Sequence, residues 1–294
     1  MGVTVPTAAA PPLRARRRSP RRDRALWTCV GIFALIVLAA VSAPLWWHAS
    51  PTDTDPLAAL QGPAWAHPMG TDQVGRDMLA RVLGGARISL LAASSVALVG
   101  GSLGALLGIA AGLGGRLLDG GLMRIFDAML AFPPVIFAMA VTLGIGVGLA
   151  TACVGVALSA VPYVARVVRS DVLRVRNAGH VEAAHALGVP PAQIVRRHVV
   201  PHVLPTALVQ IASLFSFSIV AIAALGFIGL GAQIPTPEWG TTITEGSALV
   251  LVGKWWVSTF PGLCLLIVTA ASAVIAERIR VRLDPRNRSG RALP

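Results

Sequence analysis

The sequence predicts an all-α polytopic membrane protein with about six transmembrane helices and both termini in the cytoplasm, and three observations carry that reading. Of 294 residues, 55% are hydrophobic and only 13% charged, too few to give a water-soluble globule an ordinary polar surface. Five uncharged stretches reach the roughly 20 apolar residues that a bilayer core about 30 Å thick demands of a helix. The arginines, finally, gather on alternate connections between those stretches.

Ala25 to Thr52 holds the first span, at about Leu26 to Trp46. Ile88 to Gly115 holds the second, with Gly100, Gly104, Gly108 and Gly112 at four-residue spacing and therefore close to one helix face. Small residues in that pattern favour close helix packing over a lining role. Ala128 to Ala165 is too long for one span. Gly144, Gly146 and Gly148 near its middle divide it into spans three and four with a tight turn between. Pro133-Pro134 and Pro162 are expected to kink or break those two spans. Val203 to Pro237 supplies the fifth span, ending near Gly231, and Trp255 to Ala276 the sixth.

With the N-terminus inside, the cytoplasmic segments carry 21 arginines and the outer ones only Arg76, Arg81, Arg87 and Lys254. The formal charge of +12 thus divides into about +14 inside and −2 outside, which is a record of topology rather than of nucleic-acid binding. An export signal ending at Val41-Ser42-Ala43 is the competing reading of the N-terminus. The apolar run is longer than a signal core, and Trp46-Trp47 suits the interfacial belt of a retained span. Residues 1–25, rich in arginine and proline, read as a disordered cytoplasmic tail.

The spans lack the groups that would power transport from within. No ionisable residue lies near a span centre, and Asp127 and Arg166 sit at span edges. The only lysine, Lys254, has no phosphate-binding loop around it, so no ATP site is expected in this chain. Cys29, Cys153 and Cys264 each lie in an apolar run and read as packing residues. His198 with His202, and His67 with Asp72 and Asp77, are weak metal candidates. The first pair has no carboxylate or cysteine at ligand spacing and is crossed by Pro201; the second set belongs to a turn-rich loop that needs polar residues anyway.

Between spans four and five, residues 166–202 form a cytoplasmic segment long for a mere connection. Within it Val181-Glu182-Ala183-Ala184-His185-Ala186-Leu187-Gly188 predicts a short helix. Alanine and leucine favour it, Glu182 suits the first-turn dipole, and Gly188 suits its end before Pro190-Pro191. Its small face can seat in a groove of another protein, and a rigid helix there can pass a push to the spans on either side. Glu182-Ala183-Ala184, then Gly188, Ile194 and Pro201, resemble the signature of bacterial ABC importer permeases, with Val200 where leucine is commoner; Arg196, Arg197 and His198 extend the similarity. The resemblance implies a type I ABC importer architecture. It places Glu182, Ala183, Ala184, Leu187, Gly188, Ile194 and Pro201 in ATPase coupling.

A narrower resemblance lies in the outer segment from His67 to Asp77, followed by Gly85-Ala86-Arg87-Ile88-Ser89-Leu90. Leu225 to Gly231, Pro237-Glu238-Trp239-Gly240 and Leu283-Asp284-Pro285-Arg286 continue it. These are similar to the C-type permeases of dipeptide, oligopeptide and nickel importers. What this implies is a permease subunit forming, as a heterodimer with a second permease, the passage for short peptides in the bacterial plasma membrane. Its partners would be cytoplasmic ATPase subunits or a fused ATPase, an extracytoplasmic substrate-binding protein and membrane lipid. ATP and Mg would sit on the ATPase, with no cofactor, metal or catalytic residue in this chain. A nickel chelate or other small cargo is the alternative within the same architecture. A self-sufficient carrier or channel, and a membrane scaffold with no passage, are rivals from other classes. The expected organisation is a tail (1–25), a first span (26–47), an extracytoplasmic segment (48–87), a permease core (88–280) and a cytoplasmic tail (281–294).

Overall fold

The computed structural model describes residues 20–283. Its centre is α2 (Met78–Leu113) laid along α5 (Leu149–Arg176), with α8 (Val200–Phe227) and α10 (Trp256–Leu283) completing the bundle. Between α2 and α5 the glycine ladder is a packing device. A Cβ on Gly100 would stand 2.9 Å from the Ala157 carbonyl oxygen, one on Gly104 2.7 Å from Val164, and one on Gly108 2.5 Å from the Ala165 carbonyl oxygen. Opposite them Val164, Val168 and Val172 recur every four residues on α5, each essentially buried. In lipid there is little hydrophobic drive to bring helices together, so this close van der Waals fit is what binds the two.

α1 (Pro20–Trp46) is peripheral, with most of its apolar residues exposed or only half-buried. It leans on α10 and α2 and touches α8 through an edge-on Phe33–Phe215 pair with ring centroids 6.0 Å apart. Pro44 lies inside this helix and has no N–H for the Ala40 carbonyl one turn back. The Arg87 guanidinium supplies the missing donor to Ala40 and donates to the Val41 carbonyl at 2.8 Å as well. A helix break is thereby turned into an anchor.

Several expectations change. α1 begins at Pro20, so the end of the segment read as disordered is helical; the earlier part lies outside the described residues, as do residues 284–294 and with them most of the terminal Leu283-to-Arg286 match. The helix that carries the second span starts ten residues before Ile88. α2 runs 36 residues from an Asp77 N-cap, about 54 Å, so Arg81 and Arg87 sit on its outer end rather than in a loop. The third span is not one straight helix. α3 (Arg116–Leu130) and α4 (Pro134–Ile145) meet at 92° across Ala131–Pro133. α4 has 12 residues, about 18 Å, too few to cross a bilayer alone. Pro134 at its first position needs no N–H partner, which explains why the new helix starts there. α3 lies against α5 and α2 by its apolar face, Phe126 buried among Leu107, Val161 and Ala165. The turn at Gly146, with φ +130, divides α4 from α5 as expected, but Pro162 does not break α5. Among the described residues five helices are thus long and apolar enough to span, or six if the bent pair is one span.

Candidate functional site

The cytoplasmic segment after α5 folds as the short helix α6 (Gly179–Ala186), a turn, α7 (Pro191–Ile194) and a π-helical turn over Val195–Val199 that runs directly into α8. α6 ends in a complete Schellman motif: Gly188 N–H donates to the His185 carbonyl at 3.0 Å and Val189 N–H to the Ala184 carbonyl at 3.1 Å. Gly188 has φ +73, the left-handed conformation that closes this motif and that side chains resist.

The signature residues divide by face. Val181 and Ala184 point inward with Ile194, Val199 and Val203, packed against Val168, Val172 and Val175 at the inner end of α5. Glu182, Ala183, His185, Leu187 and Gly188 are exposed, Leu187 at 83%. Ala184 and Ile194, expected among the coupling residues, are buried against the bundle and so seat the segment on it. Pro201 is exposed in the first turn of α8, where an unpaired amide position suits proline. α6 is consequently a helix seated by one face, three residues beyond the end of α5 and continuous through the π turn with α8.

The arginines of this side also tie the bundle together. Arg169 binds Asp119 of α3 by two contacts, one at 2.6 Å, and Arg166 pairs with Asp127. Arg176 donates to the Gly112 carbonyl at 3.2 Å, covering an orphan acceptor at the C-terminal end of α2. Asp171 takes the Thr206 hydroxyl at 2.6 Å, joining α5 to α8. His180 lies 5.4 Å from His202 and 6.0 Å from His198, ring centre to ring centre. His202 Nδ1 is 2.6 Å from the His198 carbonyl and so donates to it.

On the opposite side the outer matches converge in one cap. Asp72 accepts from the amides of Val74 and Arg76, each at 2.9 Å, and from Arg76 Nε at 2.5 Å. Arg76 reaches Glu245 of α9 (Trp239–Ser247) at 2.8 Å, and Arg81 binds the other Glu245 oxygen. Burial opposes the charge of Arg76, but hydrogen bonds and the field of Glu245 and Asp72 outweigh it and hold its pKa above the ordinary value. Asp77 caps α2 by accepting from Ala80 N–H at 2.8 Å and is bridged by Trp47 Nε1 at 3.1 Å and His67 Nδ1 at 2.8 Å. Glu238, fully buried, caps α9 through the amides of Gly240 and Thr241, both at 2.9 Å. A Cβ on Gly226 would lie 2.4 Å from that carboxylate, and one on Gly85 2.8 Å from Trp239, so both glycines make room for this cap. No group that could hold a metal ion exists among the described residues: Asp72 and Asp77 are committed to arginine, amide, tryptophan and histidine partners. Sequence reasoning missed Glu245 and the role of Arg81. Their one signal was a charged residue in the first turn of α2 and in the last turn of α9.

The family described as binding-protein-dependent transport system inner membrane component matches residues 104–289, more than half the chain. A putative peptide transport system permease protein of Brucella abortus is 34% identical over 283 residues, covering 96% of this chain and 95% of the relative. A dipeptide transport system permease protein of Alkalihalophilus pseudofirmus is 35% identical over 281 residues, 96% and 92% of the two chains. A probable D,D-dipeptide transport system permease protein of Escherichia coli is 36% identical over 259 residues, 88% and 87% of the two. Among solved structures, an inward-facing MetNI methionine ABC transporter chain shares the fold, with TM-score 0.53 at 22% identity over 70% of this chain and 96% of that one. The apolar spans, the seated cytoplasmic helix and relatives matched almost end to end agree: the chain belongs to the binding-protein-dependent transport system inner membrane components, as a multi-pass permease subunit of an ABC importer.

Proposed function

We propose that this permease pairs with a second, related permease to form the passage of an ATP-driven importer for short peptides, and that α6 is the helix through which an ATPase moves it. ATP and Mg are bound by the ATPase partner, and an extracytoplasmic binding protein delivers cargo to the outer cap. The observation that carries the coupling role is the two-faced character of α6: Val181 and Ala184 are gripped by the bundle while Glu182, Ala183 and Leu187 are left open. A helix held this way has no route to move except with α5 and α8. A partner that grips its outer face therefore acts on the spans. The peptide cargo is supported by the names of relatives that this chain matches over most of its length.

The test is reconstitution of the chain with its partner permease, ATPases and binding protein in liposomes. Leu187→Asp and Glu182→Lys should abolish peptide uptake and uncouple ATP hydrolysis from the binding protein while the chain remains inserted and the permeases remain paired. Normal uptake in both variants would exclude α6 as the coupling element. Competition of uptake by di- and tripeptides, but not by methionine or a nickel chelate, is the result expected for cargo.

A further inference from the structure

The large outward-facing side chains on several spans are aliphatic, as lipid requires: Leu35 and Leu38 on α1, Leu98 and Leu106 on α2, Leu263 and Leu266 on α10. One face differs. Between α5, α8 and the α3–α4 break lies a cavity of about 270 Å³ whose walls include Tyr163, Gln210 and Ser213. Tyr163 is the only tyrosine of the chain and is 61% exposed. Gln210 is half-buried and Ser213 exposed, and none of the three side chains has a hydrogen-bond partner among the described residues. Leu214 and Phe217 supply apolar wall beside them.

Depth makes these groups informative. Tyr163 is 13 residues from the inner end of α5, and Gln210 is 10 residues from the start of α8. At about 1.5 Å per residue Gln210 stands some 15 Å up α8, inside its apolar run, while Tyr163 lies about 5 Å above Arg166 at the inner edge of the α5 span. A side-chain amide left unpaired in hydrocarbon costs several kcal/mol, so this surface does not face lipid in the assembled protein. A second observation points the same way. Arg166 lies three residues after Tyr163 on α5 and pairs with Asp127, three residues before the cavity-lining Leu130, yet the two side chains remain 48% and 63% exposed. An open ion pair at the span edge, one turn below Tyr163, brings water or headgroups to the inner end of this face. Together these residues set a few hydrogen-bonding groups into an otherwise apolar wall, from Ser213 and Gln210 past Tyr163 to the ion pair on the cytoplasmic side.

We propose that this face of α5 and α8 lines the solute passage, and that Tyr163, Gln210 and Ser213 exchange hydrogen bonds with the amide and carboxyl groups of a peptide in transit. The second permease supplies the opposite wall. The peptide part of this inference rests on the proposed function; the aqueous lining does not. Each of the three groups both donates and accepts and none is charged, so they match peptide units of any sequence without holding one firmly. A passage needs that combination, since a solute must leave as readily as it enters.

The experiment uses the assembled importer, with Cys29, Cys153 and Cys264 replaced by alanine. Cysteine is then placed singly at Tyr163, Gln210 or Ser213, or at Leu98 and Leu266 as lipid-facing controls. A membrane-impermeant, negatively charged thiosulfonate is applied from both sides, with and without ATP. The passage positions should label, the controls should not, and labelling should slow peptide uptake about tenfold or more, the change that about 1.4 kcal/mol of added barrier produces. Uptake by each unlabelled variant reports that the assembly is intact. Absence of labelling in every nucleotide state, in variants that still transport, overturns the inference. Cross-linking to the second permease without aqueous labelling also overturns it, assigning the face to a dry interface. Labelling in an intact assembly that never transports peptide retains the lining and removes the peptide-import reading instead.

Discussion

Replacing Glu245 by glutamine should destabilise the outer cap by about 3 kcal/mol. Two guanidiniums, of Arg76 and Arg81, meet two carboxylates, of Asp72 and Glu245, and the side chains are 6%, 1%, 2% and 11% exposed, so the group is neutral and nearly dry. Glutamine keeps the shape and an acceptor for Arg76 but leaves one buried positive charge uncompensated. At about 4 Å and an effective dielectric near 20, one lost attraction amounts to about 4 kcal/mol, and removal of one partner from a buried pair costs about 3–5 kcal/mol. The slight exposure of Glu245 favours the lower end. Equilibrium unfolding in mixed detergent micelles measures the loss. The same titration on Glu245→Gln combined with Arg81→Met closes the cycle. Because the double variant is neutral again, it should lose less than Glu245→Gln alone. A loss below about 1 kcal/mol for the single variant, or no recovery in the double, would refute the reading of this cluster as a charge-balanced clasp.

Other consequences are open to the same assay. Gly108→Leu should destabilise the bundle by about 1–3 kcal/mol or prevent its assembly, because its first added carbon already meets the Ala165 carbonyl at 2.5 Å. Asp77→Ala should cost about 0.5–2 kcal/mol through loss of the α2 cap, and should also shift tryptophan fluorescence by releasing Trp47. Gly188→Val should cost about 1–2 kcal/mol of local stability from its left-handed backbone and free the end of α6, read as faster amide exchange at Leu187 and Val189 with α5 unchanged.

Much of this layout is legible in the sequence because lipid imposes it. Uncharged length marked α1, α2, α5, α8 and α10, and the arginine bias oriented them, since both follow from transfer energetics that act on each segment alone. Gly188 before Pro190 announced the end of α6 for the same local reason. The break at Ala131–Pro133 was harder, because hydropathy over residues 128–165 does not distinguish a helix that crosses the bilayer from one turned at 92°. Its trace lay earlier, in the alternation of inward Phe126 and Leu122 with exposed Arg124 and Asp127 on α3. The signature around Glu182 identified a set of residues but not its division into faces, so Ala184 and Ile194 became visible as seats only once α5 lay behind them. Arg81 and Glu245 are 164 positions apart, and nothing local in either predicts the other.

The glycine ladder has a mechanical consequence. Where α2 meets α5, glycine backbone rests on the α5 backbone or on its short, stiff valines, with no long side chains at the ladder that could change rotamer and absorb a displacement. The two helices therefore bend and tilt as one stiff beam. α5 alone is 28 residues, about 42 Å, with α6 at its cytoplasmic end and the turn to α4 at the other. A tilt of about 5° around its midpoint moves each end by about 2 Å in opposite senses. A lever of that length turns a shift no larger than the slide of one packed helix over another into simultaneous movement at both faces of the membrane. The ladder sets how little of that stroke is lost along the way.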